Sequence, residues 1–216
     1  MLNLATIYIL ILAVVVIIGM VRYRKLTTPF KVLTISIIVT FILEVIAEFF
    51  SIEHKNNSSL SHIESLTNYF FYSLTFFYLL KNRPIKKLVL ISIGIMGIFF
   101  IINAIFIQSF REKFPTNIFF ASNILYIIFS LLLFKQMLKN PLNINIVRQS
   151  IFWFNTGILF FSATMFLNLE LIGYYADHHW GKGSLYYFWA GSVYTFSILI
   201  GFSLLTDNKK TSLQHG

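Results

Sequence analysis

Residues Phe30–Phe50 read FKVLTISIIVTFILEVIAEFF. The stretch has one lysine near its start, two glutamates in its second half, and no proline or glycine. A bilayer core is spanned by a helix of about 20 mostly apolar residues, so Phe30–Phe50 predicts a membrane-spanning helix. Its polar residues are not scattered. Ser36, Thr40, Glu44 and Glu48 recur every fourth position, which on a helix makes one slowly drifting stripe. Polar groups in hydrocarbon are costly, so the stripe is expected to face the interior of a bundle.

Six further runs of similar length flank this one, near Leu4–Val21, Leu60–Leu80, Leu88–Gln108, Ile118–Leu138, Ser150–Ile172 and Leu185–Leu205. The expected fold is all-α: a polytopic membrane protein built as a seven-transmembrane-helix bundle. It forms one domain over residues 1–205, with residues 206–216 as a short cytoplasmic tail. Pro29, Pro84, Pro115 and Pro141 all fall at or between the expected helix ends, where a missing N–H and a fixed φ are tolerated. Lys and Arg set the orientation. Thirteen of the 17 lie on one side: Arg22, Arg24, Lys25, Lys31, Lys81, Arg83, Lys86, Lys87, Lys135, Lys139, Arg148, Lys209 and Lys210. That side is expected to be cytoplasmic, with the N-terminus outside. No Lys or Arg precedes the first apolar run, so that run reads as an anchor rather than a cleaved signal peptide.

Composition agrees. Of 216 residues, 57% are hydrophobic and only 12% charged, with a mean hydropathy of +0.75. These values exclude an ordinary soluble domain and a disordered chain. The net charge of +9 is an orientation signal rather than a nucleic-acid footprint, and no nucleic-acid partner is expected. The chain has no cysteine, which excludes disulfides, iron–sulfur clusters and thiolate chemistry. It has no GxxxxGK phosphate loop, no GxSxG elbow and no lysine within the last apolar run. No cofactor is expected.

Function is sought where polar groups enter the spans. With a rise of 1.5 Å per residue, Glu44 lies about 9 Å and Glu48 about 3 Å below the outer end of their helix. The next run descends from that end and brings Glu64 level with Glu48, and Asn68 level with Glu44. Thr164 and Asn168 reach similar depths, and Trp189 stands at the rim. Glu44, Glu48, Glu64, Asn68, Thr164, Asn168 and Trp189 are therefore the candidate ligand-binding residues, with Glu170 near the surface. Such an acidic group is satisfied by protons, by an outside cation, or by water. For Glu44 two roles stand open: a functional carboxylate, or a protonated carboxyl bonded to Asn68 or another neighbour. Tyr174, Tyr175, Trp180, Tyr186, Tyr187 and Trp189 make either an interfacial aromatic belt or an aromatic wall for a cationic ligand. His62, His178 and His179 are candidate metal ligands, although no HExxH or His-x-x-x-His spacing is present. Gly94, Gly97, Ser197 and Gly201 are small residues at one-turn spacing, which favours close helix packing.

Three stretches carry a resemblance: Ser61–Leu66, Ile124–Phe134 and, above all, FWFNTGILFFS over Phe152–Ser162. They are similar to a group of uncharacterised small seven-helix integral membrane proteins of Bacteroidota. That resemblance implies the fold and the phylum. It also implies a sensory role, because members of the group accompany two-component signalling genes.

The leading expectation is a multi-pass protein of the cytoplasmic (inner) membrane that is sensory or regulatory. It would bind a ligand in the outer half of the bundle and signal through its basic inner loops to a separate membrane-bound partner. The alternatives are a small-solute or proton-coupled transporter with three-plus-one-plus-three helices, and a metal-dependent membrane enzyme using Glu48, Glu64 and the outer histidines.

Overall fold

The computed structural model describes the backbone of residues 4–53, 55–111, 113–139, 146–177 and 182–207, and the side chains of these apart from 168–177 and 182–188. Seven α-helices fill the described residues: α1 (Leu4–Arg22), α2 (Thr28–Ile52), α3 (Ser58–Leu79), α4 (Arg83–Ile102), α5 (Thr116–Lys139), α6 (Ser150–Asp177) and α7 (Lys182–Thr206). Pro29 and Pro84 sit in the first turns of α2 and α4, and Pro115 immediately precedes α5. Asn82 caps α4 by accepting a hydrogen bond from the Ile85 N–H. At its other end α4 runs into one π-helical turn, Asn103–Ile107.

Six of the seven are long and apolar enough to cross a membrane, the composition of a multi-pass membrane protein. The seventh, α3, falls short. It covers the expected run, but its first half carries Ser58, Ser59, Ser61, His62, Glu64, Ser65, Thr67 and Asn68. A helix this polar is stable in an apolar environment only with its polar face turned to the bundle interior.

Chain neighbours pack together within α1–α2–α3 and within α5–α6–α7, and α1 against α7 and α3 against α5 close the circuit. Helix α4 stands outside, lying mainly on α3. Its buried residues are Val89 and Met96, two turns apart on one seam, while Leu88, Ile91, Ile95, Ile98 and Ile102 are exposed. Exposed aliphatics also cover α1 at Leu10, Val14, Ile17 and Val21. Exposed aliphatic faces of this kind are consistent with a lipid bilayer around the bundle.

The two ends of the bundle are built differently. At the basic end the interior is solid. Phe76 packs on Phe154 and Phe129 with ring centroids 5.2 and 5.8 Å apart, and Phe30 meets Phe154 edge-on at 6.3 Å. Leu26, Leu33, Leu80, Leu133 and Ile158 fill the space around them. Helices in lipid gain little from burial itself, so tight van der Waals packing of this kind holds them together. A polar clasp then ties the end shut. The Thr27 N–H donates to Asp207 Oδ2 (2.7 Å), the Thr27 hydroxyl to both carboxylate oxygens, and the Ser150 hydroxyl to Oδ1 (3.1 Å). Arg22 donates to the Asp207 and Leu204 carbonyls at 2.8 and 3.1 Å. Burial pushes the Asp207 carboxyl above its usual range, and the Thr27 and Ser150 donors, with Arg22 nearby, pull against that.

Close helix approach uses different glycines from those expected. A Cβ on Gly19 would meet Thr34 Cγ2 at 2.7 Å, and one on Gly157 would meet Leu199 Cβ at 3.2 Å. Gly94 and Gly97 face open space because α4 lies outside the ring. Of the expected set, Gly201 does approach α1, with Val15 Cγ2 3.4 Å from its Cβ position.

Candidate functional site: an acidic and aromatic cavity

At the opposite end, where α3 and α5 begin, the bundle encloses a cavity of about 390 Å³. Its walls follow helical periodicity. Helix α2 supplies Thr40, Glu44 and Ala47, and α3 supplies Ser61, Glu64, Ser65, Asn68 and Tyr72. Helix α5 gives Phe119, Ser122, Asn123 and Tyr126, and α7 gives Trp189, Val193 and Phe196. Spacings of three and four residues keep each set on one helix face. Tyr8 of α1, Asn57 before α3, Phe161 and Met165 of α6, Phe114 of the α4–α5 loop and Thr116 at the start of α5 complete the lining.

The floor is aromatic. Tyr72 meets Tyr126 at 5.8 Å and Phe196 at 6.0 Å, both edge-on, and Phe161 packs on Phe196 at 4.7 Å. Beyond it a void of about 20 Å³ shares Tyr8, Thr40, Tyr72 and Phe196 with the main cavity.

Polar contacts of the wall form a short relay. The Thr40 hydroxyl donates to Asn68 Oδ1 (2.7 Å), and Asn68 Nδ2 donates to Glu64 Oε1 (3.3 Å). Asn68 therefore serves Thr40 and Glu64 and not, as one expectation had it, Glu44. Among the described residues Glu44 has no hydrogen-bond or ion-pair partner. Asn123 donates from Nδ2 to the Phe119 carbonyl (2.8 Å), while its buried Oδ1 has no partner. No Lys, Arg or His is among the lining residues.

No known family, curated protein or solved structure matches the chain. The site is thus read from its own chemistry.

Of the residues expected in the site, Glu44, Glu64, Asn68 and Trp189 line the cavity together. Glu48 is half-buried one turn beyond Glu44 and is not part of the wall. Thr164 turns its hydroxyl back to the Phe160 and Phe161 carbonyls, both at 2.9 Å, and is also outside the wall. This back-bond is the usual way a helical threonine satisfies itself in an apolar setting. The side chains of Asn168, Glu170, Tyr174, Tyr175, Tyr186 and Tyr187 are outside what is described, and Trp180 lies outside the described residues.

His62 has a structural role. It is buried, with Nε2 3.0 Å from the Lys113 carbonyl and its ring against Phe100 and Phe110. Two further bonds strap the α4–α5 loop across the start of α3. Asn56 Nδ2 donates to the Arg111 carbonyl (2.8 Å), and the Ser59 hydroxyl donates to the Phe110 carbonyl (3.1 Å). The strap sets Phe114 in the cavity wall. His178 and His179 lie outside the described residues, and among those described no three His, Asp or Glu side chains gather as a metal site would require.

Tyr8, Asn123, Phe161 and Phe196 are wall residues that were not among the expected site. Asn123 shares with Tyr126 a polar face of α5, a signal within a four-residue window that the sequence carries for it. The two phenylalanines carry no signal in so apolar a sequence.

Proposed function

We propose that the protein is a sensory or regulatory protein of the cytoplasmic membrane that spans the bilayer seven times. Its cavity faces outside and its basic end faces the cytoplasm. A small ligand enters between the starts of α3 and α5, and a change in helix packing passes through the basic loops to a separate membrane-bound partner. The observation that carries this reading is the asymmetry of the bundle. The cavity reaches one end, while the other is filled by Phe30, Phe76, Phe129 and Phe154 and tied by Asp207. A site with one mouth takes up and releases its ligand on the same side, as a receptor does. The lysine and arginine distribution supports the orientation.

The cysteine-free sequence allows a direct test. Ser61→Cys, in the cavity wall, is expected to react with a membrane-impermeant thiol reagent applied outside intact cells. Ser203→Cys, buried near the basic end, is expected to stay unreacted from both sides. Labelling of Ser61→Cys from the cytoplasmic side alone would overturn the orientation.

A transporter is the second reading, favoured by one observation. Two consecutive three-helix sets, α1–α3 and α5–α7, close a ring without α4, as a three-plus-one-plus-three layout would, and the small void continues inward from the cavity. A transporter must expose its site to each side in turn. Labelling of Ser61→Cys from both sides, at rates that a substrate alters, would favour it over the receptor.

A further inference from the structure

We infer that the cavity is built for a small organic cation, a protonated amine or quaternary ammonium joined to an aromatic or aliphatic body. The inference rests on the reading of this cavity as a ligand site and names the class of ligand.

Charge comes first. Glu44 and Glu64 share the cavity, and none of its lining residues is basic. A carboxyl in a confined, mostly apolar space takes up a proton unless it finds a counter-charge or a set of donors. Glu64 has one, the Asn68 amide, and Glu44 has none among the described residues.

Hydrogen-bonding capacity points the same way. Several of the wall's donors are spent on protein acceptors. Thr40 donates to Asn68, Ser65 to the Ser61 carbonyl, Ser122 to the Ile118 carbonyl, and Asn123 to the Phe119 carbonyl. Acceptor capacity remains on the two carboxylates and on Asn123 Oδ1, beside donors on Asn57, Ser61, Thr116, the tyrosines and Trp189. Asn123 is 1% exposed, and its Oδ1 is unpartnered on a side chain that lines the cavity. A buried carbonyl oxygen left without a donor is costly; this one is sealed from solvent, so an ammonium in the cavity would satisfy it only by a turn of the Asn123 side chain.

Shape and surface complete the match. Tyr72, Tyr126, Phe161 and Phe196 floor the cavity, and Trp189 stands at the rim. Aromatic faces attract cations and pack against apolar bodies. A volume of about 390 Å³ lies at the small end of the range for small-molecule sites. An anion would meet two carboxylates, and a bare divalent metal would find at most two of the carboxylates and imidazoles it needs.

The test uses full-length protein in lipid nanodiscs, with phenethylamine and benzyltrimethylammonium as cationic probes. The controls are 2-phenylethanol as the neutral analogue, phenylacetate as the anion, and calcium and zinc chlorides as metals. Binding is read by tryptophan fluorescence and by thermal stabilisation. At least one cationic probe is expected to bind at least tenfold more tightly than 2-phenylethanol. Glu44→Gln and Glu64→Gln are each expected to weaken it at least tenfold, and Asn123→Ala severalfold. The wild-type comparison of cation with alcohol does not depend on any variant folding. Equal binding of alcohol and cations, preference for phenylacetate or a metal, or full affinity in both glutamine variants would overturn the inference. If the cations fail while Ser61→Cys is labelled from outside only, the ligand class is wrong and the receptor reading stands. If Ser61→Cys is labelled from both sides while the cations bind, the receptor reading falls and the ligand class stands.

Discussion

The Thr40 hydroxyl reaches Asn68 Oδ1 across 2.7 Å between α2 and α3, and that bond decides which way the Asn68 amide points. With Oδ1 held by Thr40, Nδ2 is presented to Glu64. Thr40→Val removes the donor without changing the shape of the side chain. Asn68 is then free to flip, and Glu64 loses its defined donor. The expected cost is about 1 kcal/mol of stability, measured as a lower melting temperature in detergent or nanodiscs. Affinity for a cationic probe should also fall severalfold, and Thr40→Ser should recover both.

The Asp207 clasp is the polar closure of the basic end. Asp207→Ala leaves the Thr27 N–H and the Thr27 and Ser150 hydroxyls without their shared acceptor. The loss should be about 2–4 kcal/mol. Asp207→Asn keeps the acceptor oxygen and should cost less than half of that. Neither change touches the cavity, so probe affinity at a temperature where the variant is folded should match wild type.

Glycines separate cleanly by what a methyl group would strike. Gly19→Ala drives a Cβ to within 2.7 Å of the Thr34 side chain, so Thr34 must turn from its bond to the Phe30 carbonyl or α1 and α2 must part, at a cost of about 1–3 kcal/mol. Gly94→Ala and Gly97→Ala point into open space and should be neutral or slightly stabilising, since alanine is the better helix former. Melting curves of the three variants decide this.

The phenylalanine cluster should be the least forgiving part of the bundle. Phe154 contacts Phe30 and Phe76 and is fully buried. Phe154→Ala opens a void in tightly packed side chains and should cost about 3–5 kcal/mol. Phe154→Leu should cost markedly less. If the solid basic end also keeps the cavity one-ended, Ser203→Cys should become reactive to thiol reagents in the Phe154→Ala background.

Much of the bundle was legible in the sequence because apolar run length is so direct a signal. The seven expected runs coincide with the seven helices to within a few residues at most ends. The meeting of Glu44, Glu64 and Asn68 was legible too, from four-residue spacing and a count of depth along antiparallel helices. Other features had no local signature. Helices in lipid are apolar on both faces, so periodicity cannot tell Phe161 and Phe196 in the cavity wall from a phenylalanine facing acyl chains. The same uniformity hid the position of α4, and with it the irrelevance of Gly94 and Gly97 to packing. Thr164 misled because a hydroxyl in a span has two solutions, a partner across the bundle or its own helix backbone, and sequence does not choose between them. The Asp207 clasp joins residues 180 positions apart, a relationship no local pattern carries.

Helix α4 meets the bundle along a seam marked by Val89 and Met96, so side-chain packing alone gives it little resistance to rocking. Its far end continues through the π-turn into the loop that holds Phe114 in the cavity wall, and this loop is fastened to α3 by His62, Asn56 and Ser59. The mouth of the cavity is thereby mechanically joined to the outermost helix, and a shift of α4 against α3 would be felt at Phe114 in the cavity wall.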